Sequence, residues 1–314
     1  MPVVEEGRFR GAIYGVSAAA LFGASAPLAK LLLPGASPLS LSGILYVGAG
    51  LGLTLAGLAR RGGGVGRMTE APLRGRDWVL LGLIALTGGV VAPVLMLQGL
   101  SRLSGVAGAL LLNLEGPFTV LLAVTFFGEH LGRREGVSAA AILAGAALLA
   151  WQPGGLRLDL PGVLLIGAAC LLWGIDNNLT QRLTLRDPLA LVRAKTLSAG
   201  LLNSGVALVI GDPFPRGRTL AAALVIGSLS YGLSVLLDAW ALRLLGAARE
   251  AAIFATAPFA GALLAVPLLG ERPSRVDAVA ALLLASGVGL LVWSRHGHAH
   301  THEPLEHEHA HVHD

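Results

Sequence analysis

The sequence predicts an all-α polytopic membrane protein: ten transmembrane helices as two inverted five-helix repeats, with a disordered His-rich C-terminal tail. Three observations predict it. Of 314 residues, 54% are hydrophobic and 13% charged, with a mean hydropathy of +0.71; a soluble domain carries roughly 25% charge. The charges cluster between apolar runs, and those runs approach the ~20 residues that cross a bilayer. The chain also repeats itself. Gly105, Pro117, Gly128-Glu129, Gly145 and Trp151 return as Gly246, Pro258, Gly270-Glu271, Gly287 and Trp293, 141 residues on up to the prolines and 142 after them. Two related hydrophobic halves mark a carrier that rocks one half against the other around a central site.

The first half (1–152) holds spans near 11–33, 38–59, 78–100, 104–127 and 133–151. The second (153–294) holds spans near 161–183, 188–210, 219–241, 246–269 and 275–294, and 295–314 form the tail. Breaks fall where Gly, Pro or charge interrupts the apolar pattern, as at Pro34-Gly35, Arg133-Arg134 and Arg186 to Pro188. The run from Gly11 is one of many, so it reads as a span and not a cleaved signal. The single cysteine, Cys170, excludes an internal disulfide framework. A pI near 9.8 would suggest nucleic acid in a soluble chain. Here the basic residues flank spans, so they set orientation, and no nucleic-acid partner is expected. With the N-terminus in the cytoplasm, 16 of the 23 lysines and arginines fall on the inner side. Both termini then face inward, and the odd number of spans per half inverts the second. The preference for arginine over lysine fits a GC-rich bacterial gene, and the expected location is the bacterial inner membrane.

The earlier spans match as well: Leu21-Phe22-Gly23 aligns with Leu172-Trp173-Gly174, and Leu103-Ser104-Gly105 with Leu244-Leu245-Gly246. On these residues the chain resembles the EamA repeat of the drug/metabolite transporter superfamily, twice over and across roughly 11–294. The resemblance implies ten spans, an inverted repeat and export of small metabolites, and it leaves the substrate open among amino acids, drugs, nucleotide-related compounds and sugars. Two departures count against a broadly apolar drug. Glu115 stands where the family commonly has a small or hydroxyl residue, as Thr256 is in the second copy, and Asp176-Asn177-Asn178 is unusually polar for a span.

A charge at mid-bilayer costs at least ~2.5–3.5 kcal/mol, so Glu115 should face the bundle interior as a substrate or coupling group, with a structural ion pair as the alternative. Three consecutive residues spread over ~200° of a helix. The triplet therefore cannot all line one cavity, and Asp176 and Asn177 are the members expected to touch substrate. Arg193 and Lys195 should snorkel to the interface; the rival reading pairs one of them with Asp176 or Asp238. Asn113, a further candidate for the site, and Gln98 read most simply as interhelical hydrogen-bonding residues. Glu129 and Glu271 should cap or salt-bridge a neighbouring loop, and Pro117 and Pro258 should kink their spans as hinges. The glycines from Gly48 to Gly52 should let helices approach closely.

In the tail, His296, His298, His300 and His302 alternate, then His307, His309, His311 and His313 alternate again after Glu303-Pro304-Leu305-Glu306. Such spacing sets imidazoles on one side of an extended chain and suits Zn, Ni, Co or Cu. No cofactor is otherwise required. The expected function is a secondary active transporter, exporting a small polar metabolite by alternating access, as a monomer or homodimer in the lipid bilayer, with divalent metal ions as accessory partners of the tail. A transition-metal transporter or a metal-responsive membrane sensor is the alternative. An intramembrane enzyme has little support: no span carries an interior histidine, and a Lys195/Ser198 pair is the nearest approach to a dyad. No Walker-type phosphate loop is present.

Overall fold

The computed structural model describes residues 2–62, 75–127, 132–150, 159–183 and 186–293. Trp151, Glu129 and the eight tail histidines predicted to bind metal lie outside the described residues. The first half runs α1 (Pro2–Leu32), α2 (Pro38–Gly62), α3 (Gly75–Ile84), α4 (Ala92–Arg102), α5 (Gly105–Leu111), α6 (Glu115–Phe127) and α7 (Arg133–Ala150). The second runs α8 (Leu160–Thr180), α9 (Pro188–Val209), α10 (Gly217–Ile226), α11 (Ser234–Leu245), α12 (Ala247–Phe254), α13 (Ala257–Leu269) and α14 (Arg275–Trp293). Short polar side chains start several of these helices by taking up free backbone N–H groups. Ser104 accepts from Ala107, Asp159 from Gly162 and Asp187 from Leu189.

Among the described residues, eight helical stretches are long and apolar enough to cross a membrane: Gly7–Gly35, Pro38–Leu58, Asp77–Arg102, Gly105–Phe126, Leu160–Leu183, Gly217–Leu245, Arg249–Leu269 and Arg275–Val292. The protein is therefore a polytopic helical membrane protein. The two other predicted spans are also helices, α7 and α9, and charges interrupt their apolar runs. α7 opens with Arg133, Arg134 and Glu135, and α9 contains Arg193 and Lys195. Large apolar side chains such as Leu55, Phe126, Val209, Leu263 and Leu282 face outward, the arrangement expected where lipid is the solvent.

Two spans pass through π-helical turns at mid-length. Ala85–Val91 joins α3 to α4, and Gly227–Leu233 joins α10 to α11. The two turns lie 142 residues apart, the separation of the sequence copies. The spans bearing Pro117 and Pro258 break just before each proline, at the 3-10 turn Leu112–Leu114 and at Ala255-Thr256. Proline lacks the N–H that would continue the ladder, so it is tolerated at the first turn of the segment that follows.

The main helix pairs are α1 with α11 and α13, α8 with α4 and α6, α2 with α9, and α7 with α14. Exchanging each helix for its counterpart in the other sequence copy turns the α1 set into the α8 set and maps the last two pairs onto themselves. Small residues set these distances. A Cβ on Gly48 would strike the backbone of Leu224 in α10, and one on Gly287 would meet the carbonyl of Ser138 at 2.9 Å. The Ser138 hydroxyl donates to the Gly287 carbonyl at 2.6 Å, closing the α7–α14 seam.

Candidate functional site

The polar residues of α8 meet α6, α9 and the first π turn near mid-span. The triplet separates as helical geometry requires. Asn177 Nδ2 donates to Glu115 Oε1 at 2.7 Å across the α6–α8 seam. Asp176 Oδ2 takes an ion pair and hydrogen bond from Lys195 Nζ of α9. Asn178 Nδ2 turns to backbone, donating to Gly174 O at 2.8 Å and Thr119 O at 3.1 Å. Glu115 and Asn177 stay partly exposed, while Asp176 and Asn178 are buried. The Glu115–Asn177 pair is thus the accessible edge of the cluster. Asp176 and Lys195 act behind it and lie within electrostatic reach of Glu115.

The snorkelling expected of Lys195 is overturned. Its ammonium turns inward to Asp176, and the side chain is 17% exposed. A carboxylate at this depth is costlier to leave unpaired than a lysine stem is to fold back. The same pair dismantles the Lys195/Ser198 arrangement, because the Ser198 hydroxyl donates to the Lys195 carbonyl of its own helix at 3.1 Å.

The first π turn supplies acceptors to the cluster's other side. Widening a helix by one residue per turn frees carbonyls from the i−4 ladder. The Gly88 carbonyl accepts from both Tyr46 Oη and Trp173 Nε1, each at 3.0 Å, and the Val90 carbonyl accepts from Asn203 Nδ2 at 3.1 Å. Gly88 has to be glycine: a Cβ there would overlap the Asp176 carboxyl. Two acceptor atoms stay sealed without a donor, Asp176 Oδ1 and Thr119 Oγ1.

Other candidates are placed elsewhere. Asn113 is buried, but its amide donates to Leu110 O of its own helix at 2.8 Å, not to another helix as expected. A 3-10 turn beginning one residue earlier leaves the Leu110 carbonyl within reach. Thr256 is exposed, and its hydroxyl closes on Ile253 O at 2.6 Å, apart from Glu115. Glu271 caps the first turn of α5, accepting from Gly105 N and from Val106 N at 2.9 Å, as a carboxylate does at a helix start. It also lines a 480 Å³ cavity with Lys30, Pro34 and Ser101 at one end of the bundle. Among the described residues, no three His, Cys, Asp or Glu side chains converge as a metal set.

The sequence profile of the EamA-like transporter family matches residues 9–151 and again 160–293. The chain belongs to that family. An uncharacterized transporter of Methanothermobacter thermautotrophicus is 29% identical, covering 92% of this chain and 89% of its own. A probable terminal-alkyne amino-acid exporter of Streptantibioticus cattleyicolor is 26% identical over 69% of this chain and 74% of that one. A riboflavin transporter of Rhizobium johnstonii is 33% identical over 39% of this chain and 40% of its own. A solved crystal structure superposes with a TM-score of 0.65 at 21% identity, covering 90% of this chain and 95% of that chain, which shows a shared fold.

Proposed function

We propose that this EamA-family protein is a secondary active transporter of the bacterial inner membrane that exports a small polar metabolite by alternating access. Ten spans form two inverted five-span halves, both termini are cytoplasmic, and Pro117 and Pro258 serve as hinges. The observation that carries the reading is the Glu115–Asn177 hydrogen bond, a partly exposed carboxylate and amide facing each other at mid-membrane where one half meets the other. A polar solute can exchange for either partner without leaving a charge unsolvated. The reciprocal helix pairing and the two π turns at repeat spacing support the inverted repeat. The exporter among its relatives supports the direction, and the two named substrates there, an amino acid and riboflavin, are both polar.

Uptake into inverted membrane vesicles, screened across amino acids, flavins and divalent metals, tests the function. Counterflow of one polar solute that Glu115→Gln abolishes supports it; transport confined to metals overturns it in favour of the metal carrier. For orientation, Gly75→Cys should resist an impermeant thiol reagent in intact cells while Arg216→Cys reacts. We further propose that the tail histidines bind metal beside the cytoplasmic gate. Retention on immobilised nickel at pH 7, lost at pH 5 as imidazoles titrate near ~6.5 and lost on truncation after Trp293, is the expected result.

A further inference from the structure

The 480 Å³ cavity lies where α1, α4 and α13 end together, apart from the mid-span Glu115 cluster. Its polar lining is Lys30, Ser101 and Glu271, set among apolar side chains such as Leu31, Leu33 and Leu269. Lys30 sits in the last turn of α1. Its ammonium donates to Leu100 O at 2.7 Å and to Leu103 O, carbonyls at the end of α4 where the helical ladder stops. α13 ends at Gly270, whose φ of 65° is a left-handed value suited to glycine. The next residue, Glu271, turns its carboxylate onto Gly105 N and Val106 N. The corner between α4 and α5 is thus held by a cation on its carbonyls and an anion on its amides, and both ions face one cavity.

Neither ion is saturated by these contacts. An ammonium has three N–H donors and a carboxylate about four lone-pair sites. Lys30 engages two donors and Glu271 two lone pairs. The Ser101 hydroxyl donates to Gln98 O at 2.7 Å and keeps its own lone pairs. Among the described residues, no ion pair joins Lys30 to Glu271, and Arg102 beside them is committed to Asp159 at 3.1 Å. Nor does the fold require a cation here. Counted from the matched glycines Gly23 and Gly174, the repeat mate of Lys30 is Gln181, which is neutral. Opposite charges on one cavity, each with hydrogen-bonding capacity left, select a ligand that carries both. A lone anion would satisfy Lys30 but meet the Glu271 carboxylate; a lone amine would do the reverse. The ligand's cation has to be a primary ammonium, because a quaternary one has no hydrogen to donate to Glu271. The leucines take an apolar body, and the volume is that of a small-molecule site.

We propose that this cavity binds a zwitterion on an apolar body, its oxyanion held by Lys30 and its primary ammonium by Glu271. Two kinds of molecule share that head. One is a free amino acid with an apolar side chain; the other is phosphatidylethanolamine, whose headgroup lies at the level where spans end. The inference stands whether or not the solute reading of Glu115 holds, because binding is read out without transport.

The test is protection of Ser101→Cys from N-ethylmaleimide in the purified full chain, in nanodiscs of phosphatidylcholine. The Glu115→Gln background removes the mid-span carboxylate as a competing ligand, and buried Cys170 alone gives the blank rate. Labelling should slow when phosphatidylethanolamine replaces part of the lipid, or when L-leucine is added, and the arm that protects names the source. Isoamylamine and 4-methylpentanoate, which keep the apolar body and one charge each, should not protect. Lys30→Gln and Glu271→Gln should each raise the protecting concentration about tenfold or more, the worth of a hydrogen bond to a charged group. Each amide can still meet the backbone groups its parent meets, so both variants should fold; the singly charged analogues read the same charges in the parent should either fail. No protection in either arm, equal protection by a singly charged analogue, or protection that survives both substitutions would overturn the proposal.

Discussion

The α1–α13 seam and the α6–α8 seam are repeat equivalents, each joining one half to the other, yet they are held together by different chemistry. Gly23 and Gly174 are the matching glycines. At the first, a Cβ would overlap the Ala257 carbonyl, and Gly261 across the seam is pressed equally against Gly23 O. At the second, the nearest atom is Thr119 N at 3.1 Å, followed by Leu122 Cδ1 at 3.2 Å. The first seam is dry, small and close, with dispersion as its main attraction, as membrane helices pack when no polar group is available. The second is wider and bonded by Asn177 to Glu115 and by Asn178 to Thr119 O. One fold therefore offers a tight pivot on one side and a polar, exchangeable contact on the other. Under the transport mechanism proposed above, the asymmetry gives a carrier a fulcrum and a site from duplicated parts.

The largest expected effect tests whether the polar side depends on its charge pair. Lys195→Met should cost about 3–5 kcal/mol, because it strands the buried Asp176. Adding Asp176→Asn should recover most of that, since neutral residues need no counter-charge. Thermal unfolding of the purified variants in detergent measures both. A single variant as stable as the parent would mean that water, not Lys195, satisfies Asp176. Next comes the pivot. Gly23→Ala must push two backbones apart and should cost about 1–3 kcal/mol, while Gly174→Ala should cost less than about 1 kcal/mol because its nearest neighbours already stand at 3.1 Å or more. Equal losses at the two glycines would erase the proposed difference between the seams.

Glu115→Gln then separates charge from hydrogen bonding. The glutamine oxygen can still accept from Asn177, so folding should be kept while transport of the solute found by the vesicle screen falls at least about tenfold, ~1.4 kcal/mol in a barrier. Unchanged transport would leave Glu115 a structural acceptor and make the polar seam another form of packing.

Much of this arrangement was legible from residue order. Hydropathy and punctuation anticipated the eight membrane-length helices among the described residues, because a bilayer demands long apolar runs. The prolines marked both breaks, because a missing N–H is a local property. The cost of burying a carboxylate pointed Glu115 inward, but its hydrogen bond with Asn177 was not legible in the sequence. What residue order does not carry is rotation about the helix axis. Lys195 reads first as a snorkelling residue, and its rival pairing with Asp176 could not be preferred because α9 alone does not reveal which way the side chain turns. The π turns had only the Gly88-Gly89 pair as a signal, which also fits ordinary close packing.

The smallest effect is expected at Thr256, and it bears most directly on the comparison. Thr256 is the repeat mate of Glu115, each two residues ahead of its proline. A symmetric carrier would use both, one in each half, as two walls of a single path. In this conformation the Thr256 hydroxyl is satisfied within its own turn by Ile253 O, and the neighbouring α1–α13 seam has no room for a solute. Thr256→Ala removes one local hydrogen bond at an exposed position, worth about 0.5–1.5 kcal/mol at most, and should change transport less than about twofold. Side-by-side flux measurements on Thr256→Ala and Glu115→Gln decide the matter. A loss at Thr256 as deep as that at Glu115 would mean that the tight seam opens during the cycle and exposes a second polar face, so the pivot seam would also be a wall of the path.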